Sequence, residues 1–554
     1  MIGARITFLT LACFALALVS RVALIDHPPI YDELYQILPA ISWNENGTFN
    51  VLDGLYTRAA MFSKLIATSF DLHGDFSVTA ARFVPSAIPG AALVALMFGW
   101  TYRTCGAVAG FITAGFMILW PNGIEVSQYV RFYALHGLLF VSSALLIYTA
   151  LTRDLTLWLR GLMWAVALAL MLATFKLQIL TVLGVVAIAV WVALAFGPKW
   201  LREHPKLWWV VGAVALGVVA VLFSGAMNET LTWAWITYNW EPWPRQDDTT
   251  FYHRDFRDNY ATFWPLFPVA ALIALRANPL PASFCIALFS ITFVLQSFGG
   301  LKNIRYLYAT MPFFFVIWGI ALQALLPVLW RFLRETASAI LPEPVRQIGS
   351  LVCAIFVVLF LLGGNASVIR SAKLIAGLDQ NRLLGKTRWQ WSEAKQMMQP
   401  WIDKGALIVT SEEMRAVQNV GDFDLAYNKP RFSEMLYSIG PDIQPFYKDF
   451  RTGRPIVGEL SDMKNVISCE PIGVLIMDAP GLQSSSTVPL IEHANAMSLT
   501  VVQDQQTGMS LFGWEHQQAT TAACAYDFGT DRAADRIRDG RATPQFISSA
   551  AADR

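Results

Sequence analysis

Ile30-Tyr31-Asp32-Glu33-Leu34 comes a few residues after an apolar run, 6–25, that is broken only by Arg21 near its end. An acidic pair just beyond a run of that length reads as the first connection of a chain threaded through a bilayer. Composition agrees. Hydrophobic residues make up 55% of the 554 positions and charged residues 15%, with a mean hydropathy of +0.45. That is too apolar for a water-soluble chain of this size. The net charge of +1 leaves no global basic field that would attract nucleic acid.

A helix needs roughly 20 apolar residues to cross about 30 Å of hydrocarbon. Stretches without Asp, Glu, Lys or Arg meet or approach that length near 6–25 (Arg21 apart), 83–102, 104–124, 132–152, 161–175, 177–198, 207–228, 259–275, 277–301, 306–330 and 347–369, which predicts about eleven spans. Residues 161–198 as one helix would be about 57 Å long at ~1.5 Å per residue, so a break beside Lys176 is expected. Arg5 ahead of the first run is compatible with a secretory signal, but the run outlasts a usual signal core and reads as a retained anchor. Basic residues collect in alternate connections: Arg5, then Arg103, Arg153 and Arg160, Lys199 to Lys206, Arg276, and Arg331 to Arg346. Short loops rich in Lys and Arg stay cytoplasmic, which predicts an inner N-terminus and an outer C-terminal segment.

The expected domains are a membrane module over 1–369, with outer loops 26–81 and 229–258, an extracytoplasmic domain over 370–528, and a disordered tail over 529–554 that is rich in Asp, Arg and Ala. The 229–258 loop interleaves Trp233, Trp235, Tyr238, Trp240 and Trp243 with Arg245, Asp247, Asp248, Arg254 and Arg257. Such aromatics anchor at the headgroup level; a lid over a lipid or sugar site is the sharper alternative. In the outer domain the runs 406–410, 473–477 and 499–502 are short and rich in β-branched residues, which predicts an α/β layer fold. Asp422-Phe423-Asp424 matches a three-residue pattern that holds metal in many nucleotide-sugar transferases, but a match this short reads rather as a strand entry. Cys13, Cys105, Cys285 and Cys353 fall in or beside spans, whereas Cys469 and Cys524 share the outer domain and are expected to form a disulfide outside the cytosol.

Cations on the outer side run against the inward bias of positive charge. Arg131 opens the fourth span within Ser127-Gln128-Tyr129-Val130-Arg131-Phe132-Tyr133-Ala134-Leu135, after Pro121 and Glu125. Lys302 and Arg305 stand between the ninth and tenth spans, three residues apart, and would share a face if helical. Arg58, Lys64 and Arg82 lie in or just after the first loop. Arg131 alone reads as a side chain snorkelling to the interface. As a set near Asp32 and Glu33, the cations suit an anion such as phosphate. The sequence has no His-rich or Cys-rich ligand cluster, and a divalent metal held by carboxylates is left open.

Taken in order, Tyr31-Asp32-Glu33, Arg82-Phe83-Val84-Pro85-Ser86-Ala87, Ser127 to Leu135, and Arg305-Tyr306-Leu307-Tyr308 with Pro312 resemble the GT-C glycosyltransferases. The nearest branch is that of the protein O-mannosyltransferases and the bacterial lipid A aminoarabinose transferase, and the likeness covers about 1–330. The resemblance implies a bacterial inner-membrane enzyme with a periplasmic C-terminal domain. It would move a monosaccharide from a polyprenyl-phosphate donor to a glycolipid, polysaccharide or protein acceptor by a single inverting displacement. Asp32 then matches the loop-one aspartate that acts as general base. Arg131, Lys302 and Arg305 match donor-phosphate contacts more weakly, with Arg58 and Arg82 as further outer cations. Neighbouring residues point in different directions, so Glu33 is assigned a positioning or metal-linked role. A transporter or flippase is the alternative from another class, disfavoured by the lack of an obvious internal repeat. A polysaccharide ligase or polymerase would use diphosphate-linked donors.

Overall fold

In a computed structural model, the described residues are 2–23, 25–204, 248–299, 302–340, 364–379, 381–383, 391–428, 447–449, 451–478, 500–504, 509–516 and 531–541, with positions 206, 209, 216 and 352 besides. The chain divides into two units, Met1–Ile25 with Arg82–Leu383 and Asp26–Ala81 with Leu384–Arg554. This differs from the expected division at both borders. The connection 26–81 belongs with the C-terminal segment, and 370–383 belong with the helices.

In the helical unit, apolar runs become helices where the sequence places them. Seven described helices are long and apolar enough to cross a membrane, or eight if the bent pair Ala107–Ile118 and Pro121–Ser127, which turns by 60°, is one span. Phe267–Ala277 is a shorter apolar helix. Of the spans expected at 207–228 and 347–369, only 209 and 216, and 352 and 364–369, are among the described residues, and 229–247 of the aromatic loop lies outside them. The break at Lys176 is present: Leu157–Leu177 ends in extended backbone at Gln178, and Thr181–Glu203 starts afresh. Close approach is made with small residues, as membrane helix packing favours. A Cβ on Gly137 would lie 2.6 Å from a ring carbon of Tyr308, and the Tyr308 ring itself stacks on Trp120 at 4.9 Å.

Among the described residues, the second unit is built on a seven-stranded sheet, whose order, in the numbering given next, is β5-β6-β4-β3-β7-β9-β8. Its strands are β3 Leu407–Thr410, β4 Leu425–Tyr427, β5 Tyr447–Lys448, β6 Pro455–Val457, β7 Ile472–Asp478, β8 Thr500–Asp504 and β9 Met509–Glu515, while β1 Asn50–Val51 and β2 Gly54–Leu55 form a separate hairpin. The centre is parallel, with β3 between β4 and β7, and β9 and β8 add antiparallel strands at one edge. Both faces are covered, so the central strands read as continuous apolar runs. On one face Leu407, Val409, Leu475 and Phe512 pack under Met463, Val466 and Ile467 of helix Leu460–Cys469. On the other, Ile408, Val474 and Ile476 pack with Met398 and Ile402, and also with Leu34, Tyr35, Leu38, Val51 and Tyr56 from the first connection. That shared core is the physical reason 26–81 clusters with the C-terminal segment.

The expected disordered tail is helical over Ala533–Arg538, where Ala533, Ala534 and Ile537 are buried. An apolar stripe is hidden there among Asp and Arg. Asp424 accepts the backbone N–H groups of Ile408 at 2.9 Å and Ala533 at 2.7 Å. Asp422 takes Arg454 at 2.9 Å and Arg536 at 2.6 Å. Both carboxylates of the Asp422-Phe423-Asp424 triplet are thus engaged at a strand entry. Cys469 is disulfide-bonded, while its expected partner Cys524 lies outside the described residues and Cys13, Cys105 and Cys285 are free thiols.

Asp424 supplies a pH test of this domain. Burial is the main cause that pushes its carboxyl up from 3.8 to about 6, against the hydrogen bonds from Ile408 and Ala533. A carboxyl raised in the folded state stabilises below its unfolded value and loses that contribution as pH rises through its folded value. The domain is therefore expected to gain up to roughly 3 kcal/mol from this group as pH falls from 7 to 4, at ~1.36 kcal/mol per pK unit. Urea unfolding followed at both pH values checks this: the gain should vanish in Asp424→Asn.

Candidate functional site

The acids lie at the start of helix Tyr31–Asn46, whose first turn carries Asp32 and Glu33. Pro28 and Pro29 precede it and disfavour an earlier helical start. Negative charge is favourable at a helix N-terminus, and Glu33 uses it fully. Its Oε2 accepts the N–H of Ile30 at 3.0 Å and its side chain is buried. Asp32, one residue earlier and turned away on the helix, is half-buried. The neighbouring acids therefore differ in surroundings, with Glu33 engaged in local capping. In the same unit Arg58 is exposed, and Lys64 lies over the Trp43 ring at 4.1 Å.

The remaining cations belong to the helical unit. Arg82 is fully buried and donates to Ile25 O at 3.0 Å. A π-helical turn, Phe83–Ala87, follows it, and Ser86 Oγ donates to Tyr129 O at 2.9 Å. Tyr129 is in turn the hydroxyl partner of Arg305 Nη1 at 3.2 Å. The Arg305 guanidinium also lies over the rings of Tyr129, Tyr133 and Tyr306 at 5.9, 5.4 and 5.8 Å, a setting that attracts a cation to the ring faces. The stretches bearing Arg82, Arg131 and Arg305 are thus brought together through Tyr129. Arg131 is only 5% exposed, which sets aside the snorkelling reading, because snorkelling keeps the charged head in water.

Lys302 and Arg305 do not share a helical face. Only Ile304–Leu307 is helical, a 3₁₀ turn, and Lys302 precedes it. Lys302 Nζ instead donates to Ser297 O at 2.8 Å and Gly299 O at 2.5 Å, satisfying carbonyls at the end of helix Pro279–Ser297 as a cation there should.

Sequence reasoning missed an ionic network beside this region. Glu125 on helix Pro121–Ser127 pairs with Arg370 of helix Ala366–Ile375, and both side chains are buried. Glu125 Oε1 also accepts Arg382 N at 2.6 Å, and Asn381 Nδ2 reaches Glu125 O and Gln128 Oε1, each at 3.1 Å. Segment 365–383 thereby straps the helix that leads directly into Tyr129 and Arg131. Asp255, on helix Phe251–Asn259, has its carboxyl pushed up, chiefly by burial, while the Asn259 amide and the charges of Arg382 and Arg370 oppose this. No local signal in sequence joins 125 to 370. Among the described residues no three His, Cys, Asp or Glu side chains gather as a metal ligand set would require.

No family model matches the chain, and no curated protein sequence does. Solved structures do match. ArnT from Cupriavidus metallidurans in the apo state superposes with a TM-score of 0.59 at 14% identity, over 93% of this chain and 98% of that one. The same protein bound to undecaprenyl phosphate gives 0.57 at 14% identity, over 92% and 97%. The archaeal oligosaccharyltransferase AglB from Archaeoglobus fulgidus, in complex with an inhibitory peptide and a dolichol-phosphate, gives 0.52 at 13% identity, over 93% of this chain and 75% of that one. The resemblance stated from sequence is matched at the level of the fold: the chain shares its fold with ArnT and AglB.

Proposed function

We propose that the chain is a membrane glycosyltransferase that moves a monosaccharide from a polyprenyl-phosphate carrier to an acceptor hydroxyl. The transfer takes place on the periplasmic face of a bacterial inner membrane. The acceptor is an envelope glycolipid, polysaccharide or protein. The observation that carries this reading is the likeness over 92% of the chain to an ArnT solved with undecaprenyl phosphate bound.

Asp32 takes the acceptor proton as the acceptor oxygen attacks the anomeric carbon. The bond from that carbon to the phosphate oxygen breaks, the lipid phosphate leaves as an anion, and the sugar inverts. A positioned carboxylate contributes roughly 10² to 10⁴ in rate as a base. A phosphate leaving group is already a stable anion, so charge stabilisation can replace a general acid. Arg131, Lys302 and Arg305, with Arg58 and Arg82, are the cations assigned to that anion. Glu33 positions the first turn through its bond to Ile30.

The test is donor consumption. Purified full-length chain in liposomes is offered a monosaccharide on undecaprenyl phosphate, or an oligosaccharide on undecaprenyl diphosphate, with envelope extract as acceptor. The monophosphate donor should be consumed, with a one-sugar mass increment on the acceptor. Consumption of the diphosphate donor alone would replace this reading with transfer of an oligosaccharide, the activity printed for AglB. Movement of lipid without sugar transfer would replace it with a flippase.

A further inference from the structure

Tyr31 and Tyr35 bracket Asp32 on one helix, and the C-terminal segment holds both hydroxyls. Tyr31 Oη donates to Glu413 Oε2, 382 positions away in sequence. Tyr35 Oη accepts from Arg451 Nη1 at 2.6 Å, across 416 positions. Arg451 then closes the cluster, with Nη2 at 3.3 Å from Glu413 Oε1 and Nε at 2.7 Å from Asp449 Oδ1. The Arg451, Glu413 and Asp449 side chains are all buried. Residues 451–454 also grip the hairpin that follows the helix. Asp53 N donates to Thr452 O at 3.0 Å, Arg454 Nη1 lies 2.6 Å from Asp53 Oδ2, and a Cβ on Gly54 would sit 2.2 Å from Arg451 O.

Stability alone does not call for such a cluster. Buried ion pairs are often matched or bettered by well-packed apolar side chains, and their best-attested use is to select one register. Leu34 and Leu38 already supply apolar packing on this helix, but apolar contact tolerates rotation about the helix axis. Two directional hydroxyl bonds, one turn apart, do not. We infer that the C-terminal domain is a positioning device for Asp32, with Arg451 and Glu413 as positioning residues that act through Tyr35 and Tyr31. The inference rests on the reading of Asp32 as the base.

The experiment uses the full chain in nanodiscs and compares wild type with a Tyr31→Phe, Tyr35→Phe double variant and with Arg451→Gln. Amide exchange over residues 31–46 is expected to quicken at least tenfold, with β3 and β7 unchanged. Binding of undecaprenyl phosphate as probe should stay within twofold. With membrane lipid extract as donor pool, kcat should fall at least tenfold at unchanged KM. If Arg451→Gln does not fold, the double variant still decides, because it removes only two hydroxyl groups. Unchanged exchange over 31–46 overturns the positioning device, as does a loss confined to KM. The exchange arm needs no substrate, so it stands apart from the base assignment. Quickened exchange together with full turnover in Asp32→Asn would retain a helix clamp but overturn its catalytic purpose.

Discussion

Asp32→Asn is expected to lower sugar transfer by about 10² to 10⁴, the usual contribution of a positioned general base, while the protein inserts and folds as before. Asn has the shape of Asp but cannot take a proton from a hydroxyl. Glu33 keeps its bond to Ile30, Tyr31 and Tyr35 keep theirs to the C-terminal segment, and Asp32 is only half-buried. A substitution free of core or cap losses generally changes stability by about 0.5 kcal/mol or less. Mass spectrometry of the acceptor in reconstituted membranes gives the activity, and melting in detergent gives the fold. Full transfer in a well-inserted Asp32→Asn protein would remove this residue from the role of base.

The largest expected effect on stability is at the Glu125 and Arg370 pair. Removing one partner of a buried ion pair leaves an uncompensated charge and costs about 3–5 kcal/mol. Glu125→Leu strands Arg370, whose other carboxylate neighbour, Asp379, is 3.5 Å away and partly exposed. Arg370→Leu strands Glu125, to which the backbone N–H of Arg382 is then left as a donor. Both single variants should melt well below wild type. The double Leu variant should recover much of the loss, because the pair's desolvation cost disappears with it. Scans at one fixed heating rate are needed, since large membrane proteins unfold irreversibly. A single variant that melts with wild type would show that this pair is not a structural clamp. The pair bears on the proposed donor site because Pro121–Ser127 leads into Tyr129 and Arg131.

The residues of the proposed site can be named from sequence, but their partners cannot. Lys302 shows why. Its position against the inward charge bias marked it as a candidate, yet nothing in the chain from 300 to 306 announces that its ammonium closes the carbonyls at Ser297 and Gly299. Arg305 was found by the same signal, but the Tyr129 hydroxyl bonded to it lies 176 residues earlier. The Asp- and Arg-rich stretch after 529 misled for a related reason. Its composition resembles a solvated tail, yet Ala533–Arg538 is helix with Ala533, Ala534 and Ile537 buried.

Sequence alone determined the membrane-spanning character of the chain, the break beside Lys176, the apolar strands at β3 and β7, and the acidic pair at the head of the first loop. Each is a local property: a bilayer tests each run of about twenty residues for itself, and a buried strand shows in its own apolar run. Only tertiary structure decided that the loop bearing Asp32 shares a core with the C-terminal segment, that Tyr31 and Tyr35 are held by Glu413 and Arg451, and that Arg370 answers Glu125. Those pairings join residues separated by hundreds of positions. A buried polar group must find a partner, but its own neighbourhood in sequence says nothing about which distant residue the packing will bring to it.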